Sequence, residues 1–566
     1  MSDILANITG LVWNYPVIGL CLFSGIFFTF IRLPFIQFRS FKHALELFSG
    51  HYDSPNETGE ITHFQALSAA LSGTIGLGNI AGVAIAIALG GPGAVFWMWL
   101  VGILGMATKY VECALGTMYR DIDPETNEVH GGPMYYVKNG LGQRWIPLGM
   151  ILSFCIALGA LGAGGMFQAN QAAMALEKYY NIATPVTGFV LAVLLAVVII
   201  GGIKRIAQVT SKIVPLMCGI YVIGALVICI INIDQRPRVI ELIVYDAFTG
   251  RAAAGGTLGA VLIMGVRRAV FSNEAGLGTA SIAHAAVKTD YPVREGIVAS
   301  VGPFIDTIVV CTATAMVIIL SGYYGHGRFE VLYDNPMPAL VAQNTHQIQV
   351  NSTDSASHTL IVDAQNAQVP KSSIGPILLG SNDSQGLRFE YFQESGSIDV
   401  EVYSNKRGII GALSLPTGDG AVINPNTQAQ MFSTHGFDQR QHWAKGLLSF
   451  NGDFQPDENE SFTLLISSAD PSTKWHIREI HSVSPFEGIE LTIQAFDTFF
   501  KGFGSIFISI AVCLFAFSTM ITWSYYGETA LHFVLGKKAS KAYKLLFILG
   551  TYFGASVALH DVLNFT

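Results

Sequence analysis

Leu71-Ser-Gly-Thr-Ile-Gly-Leu-Gly-Asn-Ile80 lies inside an apolar stretch, about Phe64 to Leu89, that otherwise suits a helix crossing a bilayer. Gly73, Gly76 and Gly78 weaken a helix, and Asn79 brings a carboxamide into hydrocarbon. Non-helical backbone is tolerated at membrane depth only where protein buries it or where it lines a cavity. The stretch therefore has two readings. It is either a broken helix that opens a binding site near the bilayer midplane, or a close helix contact made through small residues.

The surrounding composition is that of a polytopic membrane protein. Hydrophobic residues make up 51% of the 566, charged residues 13%, and the mean hydropathy is +0.46, whereas soluble domains carry about 25% charge. The net charge of -8 says little about partners, because much of the acid lies in one polar block. No basic stripe with interleaved aromatics occurs, which argues against nucleic acid. The seven cysteines lie in apolar segments without a CxxC pair, so neither a disulfide framework nor a zinc site is indicated. Met1 to Gly10 lacks the basic region of a cleaved signal peptide.

Ten apolar segments are expected. The first is about Leu11 to Leu33, the second the interrupted span, and the third about Ala94 to Tyr119. The fourth to sixth are about Pro147 to Leu176, Val186 to Ile203 and Ile213 to Ile231. The seventh, near Gly255 to Ala286, is interrupted again by Phe271-Ser-Asn-Glu-Ala-Gly-Leu-Gly278. The eighth is about Ile297 to Leu320, and the last two about Phe503 to Leu535 and Leu545 to Leu559. With the first link inside, the inner loops hold fifteen Lys and Arg residues, against Lys178, Arg236, Arg238 and Arg251 on the opposite short loops. This bias puts the N-terminus outside. The polar block between the eighth and ninth segments is then outside too. Its Arg388-Phe-Glu-Tyr-Phe392 and Ser397-Ile-Asp-Val-Glu-Val-Tyr403 alternate with period two, as half-buried strands do. The expected division is a membrane core over 1–323 and 491–566 with an inserted β-rich domain over 324–490.

The two interrupted segments stand five apart, an odd number, so they face opposite ways. Inverted repeats with a broken first helix in each half are the sequence pointer to a transporter site, and this favours the site reading of Ser72 to Asn79.

Six ordered motifs carry a resemblance: Ser72-Gly-Thr-Ile-Gly-Leu-Gly-Asn79, Gly91-Pro-Gly93, Lys109-Tyr-Val-Glu112, Gly131-Gly-Pro-Met-Tyr-Tyr136, Phe271 to Gly278 and Trp523-Ser-Tyr-Tyr-Gly-Glu528. Together they resemble the alanine or glycine:cation symporters. The resemblance implies an all-α polytopic membrane protein of the leucine-transporter-like fold. That fold has two inverted five-helix repeats behind an extra N-terminal helix, here with the β-rich extracytoplasmic insertion added. It also implies uptake of alanine or glycine, with Na+ as the coupling ion, across a bacterial inner membrane. The insertion is not part of the common family core, so its role is not implied. Family members continue beyond the tenth segment into another span, so either a last helix is missing after Thr566 or the second repeat is incomplete here.

An amino-acid zwitterion needs donors for its carboxylate and acceptors for its ammonium. Unwound amides at Gly73, Thr74 and Gly76, ahead of a half-helix whose dipole favours anions, are the candidates for the first. Carbonyls around Phe271, Ser272 and Asn273 are candidates for the second. Phe167, Gln168, Phe271 and Trp523 are candidates to confine a small substrate, with Gln168 and Trp523 supported by the resemblance; ordinary packing is the alternative for Phe167 and Trp523. For sodium, the resemblance points to the carbonyls of Ser72 and Ile75 and the hydroxyls of Ser518 and Thr519. Back-bonding to the preceding turn is the plain alternative for those hydroxyls. Asn79 can belong to a second sodium set joined by the substrate carboxylate. Lys109 and Glu112, one helical turn apart, read as a structural ion pair. Glu274 suits a structural or gating role better than proton carriage, and Asp306 shares the ambiguity. No HExxH, GxSxG or Walker A pattern supports an enzyme. A receptor that senses through the insertion, and proton-coupled transport, stand as alternatives to sodium symport. A small neutral amino acid and the lipid bilayer are the expected partners.

Overall fold

A capping box opens the interrupted segment. Thr62 accepts the Gln65 N–H at 3.2 Å, while the Gln65 side chain accepts the Thr62 N–H at 3.1 Å, which satisfies two of the donors that a helix start leaves free. In the computed structural model, residues 15–54, 56–124, 128–249, 258–321 and 488–557 are described, together with strands between 329 and 483. The helix so started, His63–Thr74 (α2), follows an N-terminal helix, Tyr15–Ile26 (α1), that runs on as a wide π turn, Phe27–Arg32. After Ile75–Leu77 the chain resumes as a π turn, Gly78–Gly82, and a helix, Val83–Gly90 (α3). The two halves are bent by 55°.

Two short helices, Ile36–Arg39 and Phe41–Phe48, lie between α1 and α2. Further along are Gly93–Met118 (α4), Pro133–Leu141 (α5), Ile146–Gly159 (α6), Phe167–Tyr180 (α7), Thr184–Ile199 (α8), Gly202–Ile231 (α9) and Arg236–Thr249 (α10). They are followed by Leu258–Asn273 (α11), Ala280–Ala285 (α12), Pro292–Ser300 (α13), Thr312–Ser321 (α14), Ile489–Phe499 (α15), Gly504–Leu535 (α16) and Lys537–Ser556 (α17). Among the described residues five helical stretches are long and apolar enough to span a bilayer, and the bent pair α2 and α3 makes a sixth. Phe23, Ile151, Phe189, Ile223 and Leu545 are each more than three-fifths exposed. Such a spread of bare aliphatic and aromatic side chains fits lipid as the solvent. The chain is a multi-pass helical membrane protein.

The second interruption is also present. α11 ends at Asn273, and Glu274, Gly276 and Gly278 take positive φ angles of 54°, 98° and 79° before α12 begins. Three left-handed residues within five positions cannot continue a helix. Glycine serves two of them without strain, and Glu274 holds the third as a non-glycine outlier of the kind that clusters at functional sites.

The chain divides into two compact units, the helical one and a second that holds Ser321–Glu487 with Ala253–Gly255. In the second, the described strand pairs are antiparallel. One sheet runs in the order Ser357–Ile361, Thr345–Asp354, Phe462–Ser468, Ser397–Ser404 and Gly408–Pro416, and another in the order Phe329–Glu330, Trp475–Val483, Gln385–Gln393 and Ala444–Phe450. Arg388–Phe392 falls in the strand Gln385–Gln393, and Ser397–Tyr403 in the strand Ser397–Ser404. The rest of the expected 324–490 domain, Arg251, and the expected last segment beyond Val557 lie outside the described residues.

A unit with its own sheets is not needed to close the helical core. Replacing 327–486 with a short linker is expected to give a monodisperse protein whose thermal melt, followed by helical circular dichroism, stays within a few degrees of the parent. Aggregation of the shortened chain would show that the helical unit depends on the block.

Candidate functional site

The ends of a broken helix expose polar backbone that must find partners. At the second break α4 supplies them. Lys109 Nζ donates to Glu274 O at 3.2 Å, and the Glu112 carboxylate accepts the Gly276 N–H. A cation thus meets the carbonyl end of α11, and an anion meets the amide end that leads into α12, the arrangement helix dipoles favour. The Glu274 carboxylate accepts the Thr279 hydroxyl at 2.5 Å. Sequence reasoning expected Lys109 and Glu112 to pair with each other. In the structure each is bonded to the break instead, because the unwound backbone offers both of them a better-directed partner.

At the first break α16 does the comparable work. Thr522 Oγ1 donates to Ala69 O at 2.9 Å, Ser72 Oγ to Ser518 O at 2.5 Å, and Trp523 Nε1 to Gly73 O at 3.1 Å. The expected unwound amides are only partly present. Gly73 and Thr74 are the last residues of α2, so their amides lie inside the helix while the carbonyl of Gly73 is the free group. The Gly76 N–H lies in the break and is bonded to Asn79 Oδ1 at 3.0 Å.

Near the first break three buried oxygens have no hydrogen-bond partner: Thr519 Oγ1, Gln168 Oε1 and Tyr526 Oη. A Cβ on Gly76 would stand 2.5 Å from Thr519 Oγ1 and 3.6 Å from Gln168 Oε1, and one on Gly73 would stand 3.4 Å from Tyr526 Oη. The two glycines therefore bring bare backbone close to these oxygens, where a side chain on Gly76 would press on Thr519. Ser518 Oγ, by contrast, bonds back to Phe515 O at 3.0 Å. Gln168 is buried, and Phe167, the next residue along α7, is half-buried. Between α6 and α7 the chain makes a wide π turn, Ala160–Met166, where Gly164 lies against the Trp523 ring. Trp523 also packs edge-on to Tyr526 at 5.7 Å. Tyr526 was not among the expected site residues. The signal for it was present in Trp523-Ser-Tyr-Tyr526, three positions beyond the tryptophan and so on the same helix face.

The two breaks meet at Gly78 and Asn79. The Phe271 ring and Ser272 Cα would stand 3.4 and 3.7 Å from a Cβ on Gly78. Asn79 Nδ2 donates to Ser272 Oγ at 3.1 Å and to Asp306 Oδ1 at 2.6 Å. Ser272 Oγ and Thr307 Oγ1 donate to Asp306 Oδ2 at 2.9 and 2.8 Å, and Asn273 Nδ2 donates to Thr307 at 3.2 Å. Asp306 is fully buried in the π turn Phe304–Cys311, and the hydrogen bonds it accepts come from neutral groups. A buried carboxylate is normally paired, so this oxygen-rich cluster suits a small hard cation. Thr314 Oγ1 donates to Asn79 O at 2.8 Å and meets Tyr221 Oη at 2.7 Å, which ties the first break to α9 and α14. Among the described residues, no group of three or more His, Cys, Asp or Glu side chains is arranged to hold a metal.

The sodium:alanine symporter family model matches residues 1–341 and 461–566 and omits 342–460. The sodium/alanine symporter AgcS of Methanococcus maripaludis is 46% identical over 323 residues, 56% of this chain and 71% of that protein. The putative sodium/proton-dependent alanine carrier protein YrbD of Bacillus subtilis is 40% identical over 325 residues, 57% of this chain and 65% of that protein. The probable sodium/glutamine symporter GlnT of Bacillus subtilis is 40% identical over 328 residues, 57% and 67% of the two chains.

The bracing of the second break has a measurable consequence. Glu112→Ala removes the carboxylate that accepts the Gly276 N–H, a loss of about 1.5–3 kcal/mol for a hydrogen bond to a charged group. Its thermal midpoint is expected to fall, and Glu112→Gln, which keeps an acceptor, to recover part of the loss. A Glu112→Ala variant as stable as the parent would show that the break does not rely on this contact.

Proposed function

The chain belongs to the sodium:alanine symporter family, a family of transporters and not of enzymes, and from that premise we propose that it takes up alanine or glycine together with sodium by alternating access. The observation that carries this reading is the set of three unpartnered buried oxygens, Thr519 Oγ1, Gln168 Oε1 and Tyr526 Oη, gathered at a helix break. Burying such groups is unfavourable unless a bound species satisfies them. A zwitterion and a hard cation together have the donors and the positive charge these oxygens lack.

In this reading Gln168 Oε1 and the end carbonyls of α11 near Phe271, Ser272 and Asn273 receive the ammonium. The substrate carboxylate lies toward Gly76 and Asn79 at the start of the second half-helix, with Gly73 and Thr74 forming the wall beside it. The Trp523 ring, held by Gly73 O, closes the space together with Phe167. The closeness of Gly76 to Thr519 limits the side chain to something as small as a methyl group or a hydrogen. One sodium ion is held by the carbonyls of Ser72 and Ile75 and the Thr519 hydroxyl, with Ser518 beside it. A second is held by Asn79, Ser272, Thr307 and Asp306, whose carboxylate supplies the compensating charge. Because Asn79 touches both the Gly76 amide and Asp306, substrate and cation favour the same arrangement of the two breaks, which is the requirement for coupling.

The opposed breaks support inverted five-helix repeats of the leucine-transporter-like kind behind the extra helix α1. The basic-residue bias supports placing the N-terminus and the β-rich 324–490 domain on the outer face of a bacterial inner membrane. The omission of 342–460 from the family match supports an insertion outside the transport machinery.

Sodium-driven accumulation of labelled alanine or glycine in proteoliposomes, with net inward charge, is the expected result. Uptake driven equally well by a proton gradient without sodium would overturn it. Thr519→Val keeps the shape and removes the hydroxyl, and is expected to raise half-saturating sodium about tenfold, a change of about 1.4 kcal/mol. Ser518→Ala is expected to shift it far less, because that hydroxyl is already bonded within its own helix. Unchanged sodium dependence in the double variant would remove this ion site.

A further inference from the structure

The two broken helices are joined a second time, at the far ends of α2 and α12 from the breaks. Glu60 N–H and Ile61 N–H donate to Ala286 O, Lys288 N–H to Ile61 O, and Thr289 N–H to Thr58 O, so that Ile61 and Val287 form a parallel bridge. Arg120, two residues past α4, straps the same strands. Its guanidinium donates to the carbonyls of Thr58 and Ala285 at 2.8 Å and to those of Val287 and Thr289 at 2.7 Å. Under this clasp lies a single carboxylate. Glu295, in the first turn of α13, receives His63 Nδ1–H on Oε2 and His284 Nδ1–H on Oε1. His63 opens α2 and His284 sits in the last turn of α12, so one acid pins the end of each broken helix. Glu295 and His63 are 0% exposed and His284 1%.

The charge of this cluster is set by its burial. With both imidazoles neutral it carries one net negative charge, with both protonated one positive charge. With a single proton shared between them it is neutral overall, the state that burial penalises least. The nearby charges do not alter the balance. Asp53 and Arg294 act on His63, and Arg120, with Asp290 beside it, acts on Glu295, so two acids stand against two guanidiniums. Cys113 on α4 also faces Glu295, with Lys109 and Glu112 behind it. His63 Nε2 is buried without a partner, so protonating it as well as His284 would leave a donor unsatisfied, a cost that opposes a second proton.

We propose that Glu295, His63 and His284 form a proton-binding site that holds one proton while the clasp is closed and releases it when the clasp opens to water. An imidazole in water titrates near pH 6.5, so at neutral or alkaline pH on the exposed side the opened site loses its proton. The opened site, with two free imidazoles, holds fewer than one proton only above about pH 6.5, so above that pH on that side, the cytoplasmic one in the orientation given above, rising pH favours opening and falling pH favours the closed clasp. That the clasp opens during a working cycle rests on the transport reading; that it binds a proton does not.

The test has two parts. Nitrogen-15 spectra of histidine-labelled protein in lipid vesicles at pH 8, where imidazoles in water are neutral, are expected to show an imidazolium signal. That signal is expected to be absent from the His63→Asn, His284→Asn variant, in which each asparagine keeps a donor near the Nδ1 position. A wild-type spectrum without imidazolium overturns the site, and it decides alone should the double variant fail to fold; a signal that persists in a folded double variant overturns it as well. In the second part, labelled alanine uptake is measured at a fixed sodium gradient and fixed outer pH. Raising the inner pH from 6 to 8 is expected to speed wild-type uptake several-fold and to leave the double variant unchanged. A flat wild-type response overturns release on opening. No sodium-driven uptake from vesicles that do show the imidazolium counts against the transport reading and leaves the proton site standing.

Discussion

A peptide group freed from its helix inside a bilayer has no water to turn to, and most of the polar chemistry in this protein answers that constraint. Two helices are broken, and each break frees carbonyls on one side and amides on the other. Lys109 and Glu112 meet the second break with opposite charges on its two ends. Trp523 and Thr522 of α16 meet the first, Ser72 of α2 donates across to Ser518 O, and Asn79 reaches back to the Gly76 amide from its own segment. Of what these contacts leave unpaired at the first break, Thr519 Oγ1 and Gln168 Oε1 are held close to Gly76.

This placement links stability to function. A symporter must bind its cargo without gaining so much that it cannot release it, and the cargo must change the balance between two arrangements of the helices. Oxygens that lack partners in the protein alone provide such a lever. In the transport reading proposed above they make the substrate-free site less favourable and the loaded one more so, and they lie where α2, α7 and α16 converge. The Asn79–Ser272–Asp306 cluster adds the second broken helix and the π turn after α13 to the same lever. Rigid support stands behind it, through Thr314 to Tyr221, whose buried ring packs among Phe496, Phe507 and Phe515.

Side-chain length and direction explain where the sequence reading was right and where it was incomplete. The glycine clusters located both breaks, although close packing through small residues fits one such cluster as well; it was the pairing of two clusters that favoured breaks. The same clusters did not reveal which residue is the last helical one. Gly73 and Thr74 were expected to be unwound, yet the packing of α16 against Ala69, Ser72 and Gly73 keeps α2 helical through Thr74. Lys109 and Glu112 were expected to pair because they are one turn apart. Their real partners are 165 and 164 positions away in the chain, a separation that spacing along one helix cannot report.

The sequence by itself determined the class of the molecule, since a chain with 13% charge and repeated apolar stretches can fold only with lipid as its solvent. It also located the two breaks, since a cluster of glycines within an apolar segment is a property of the chain alone. Only the tertiary structure decided which polar atoms are satisfied. Ser518 and Thr519 are adjacent hydroxyls of similar chemistry, but one is turned into its own helix and the other toward Gly76. His284 and Glu295 are 11 positions apart and His63 lies 232 before Glu295, and three helix ends bring them into one buried contact. A hydrogen bond is decided within a few tenths of an ångström, and that precision exists only once the helices have packed.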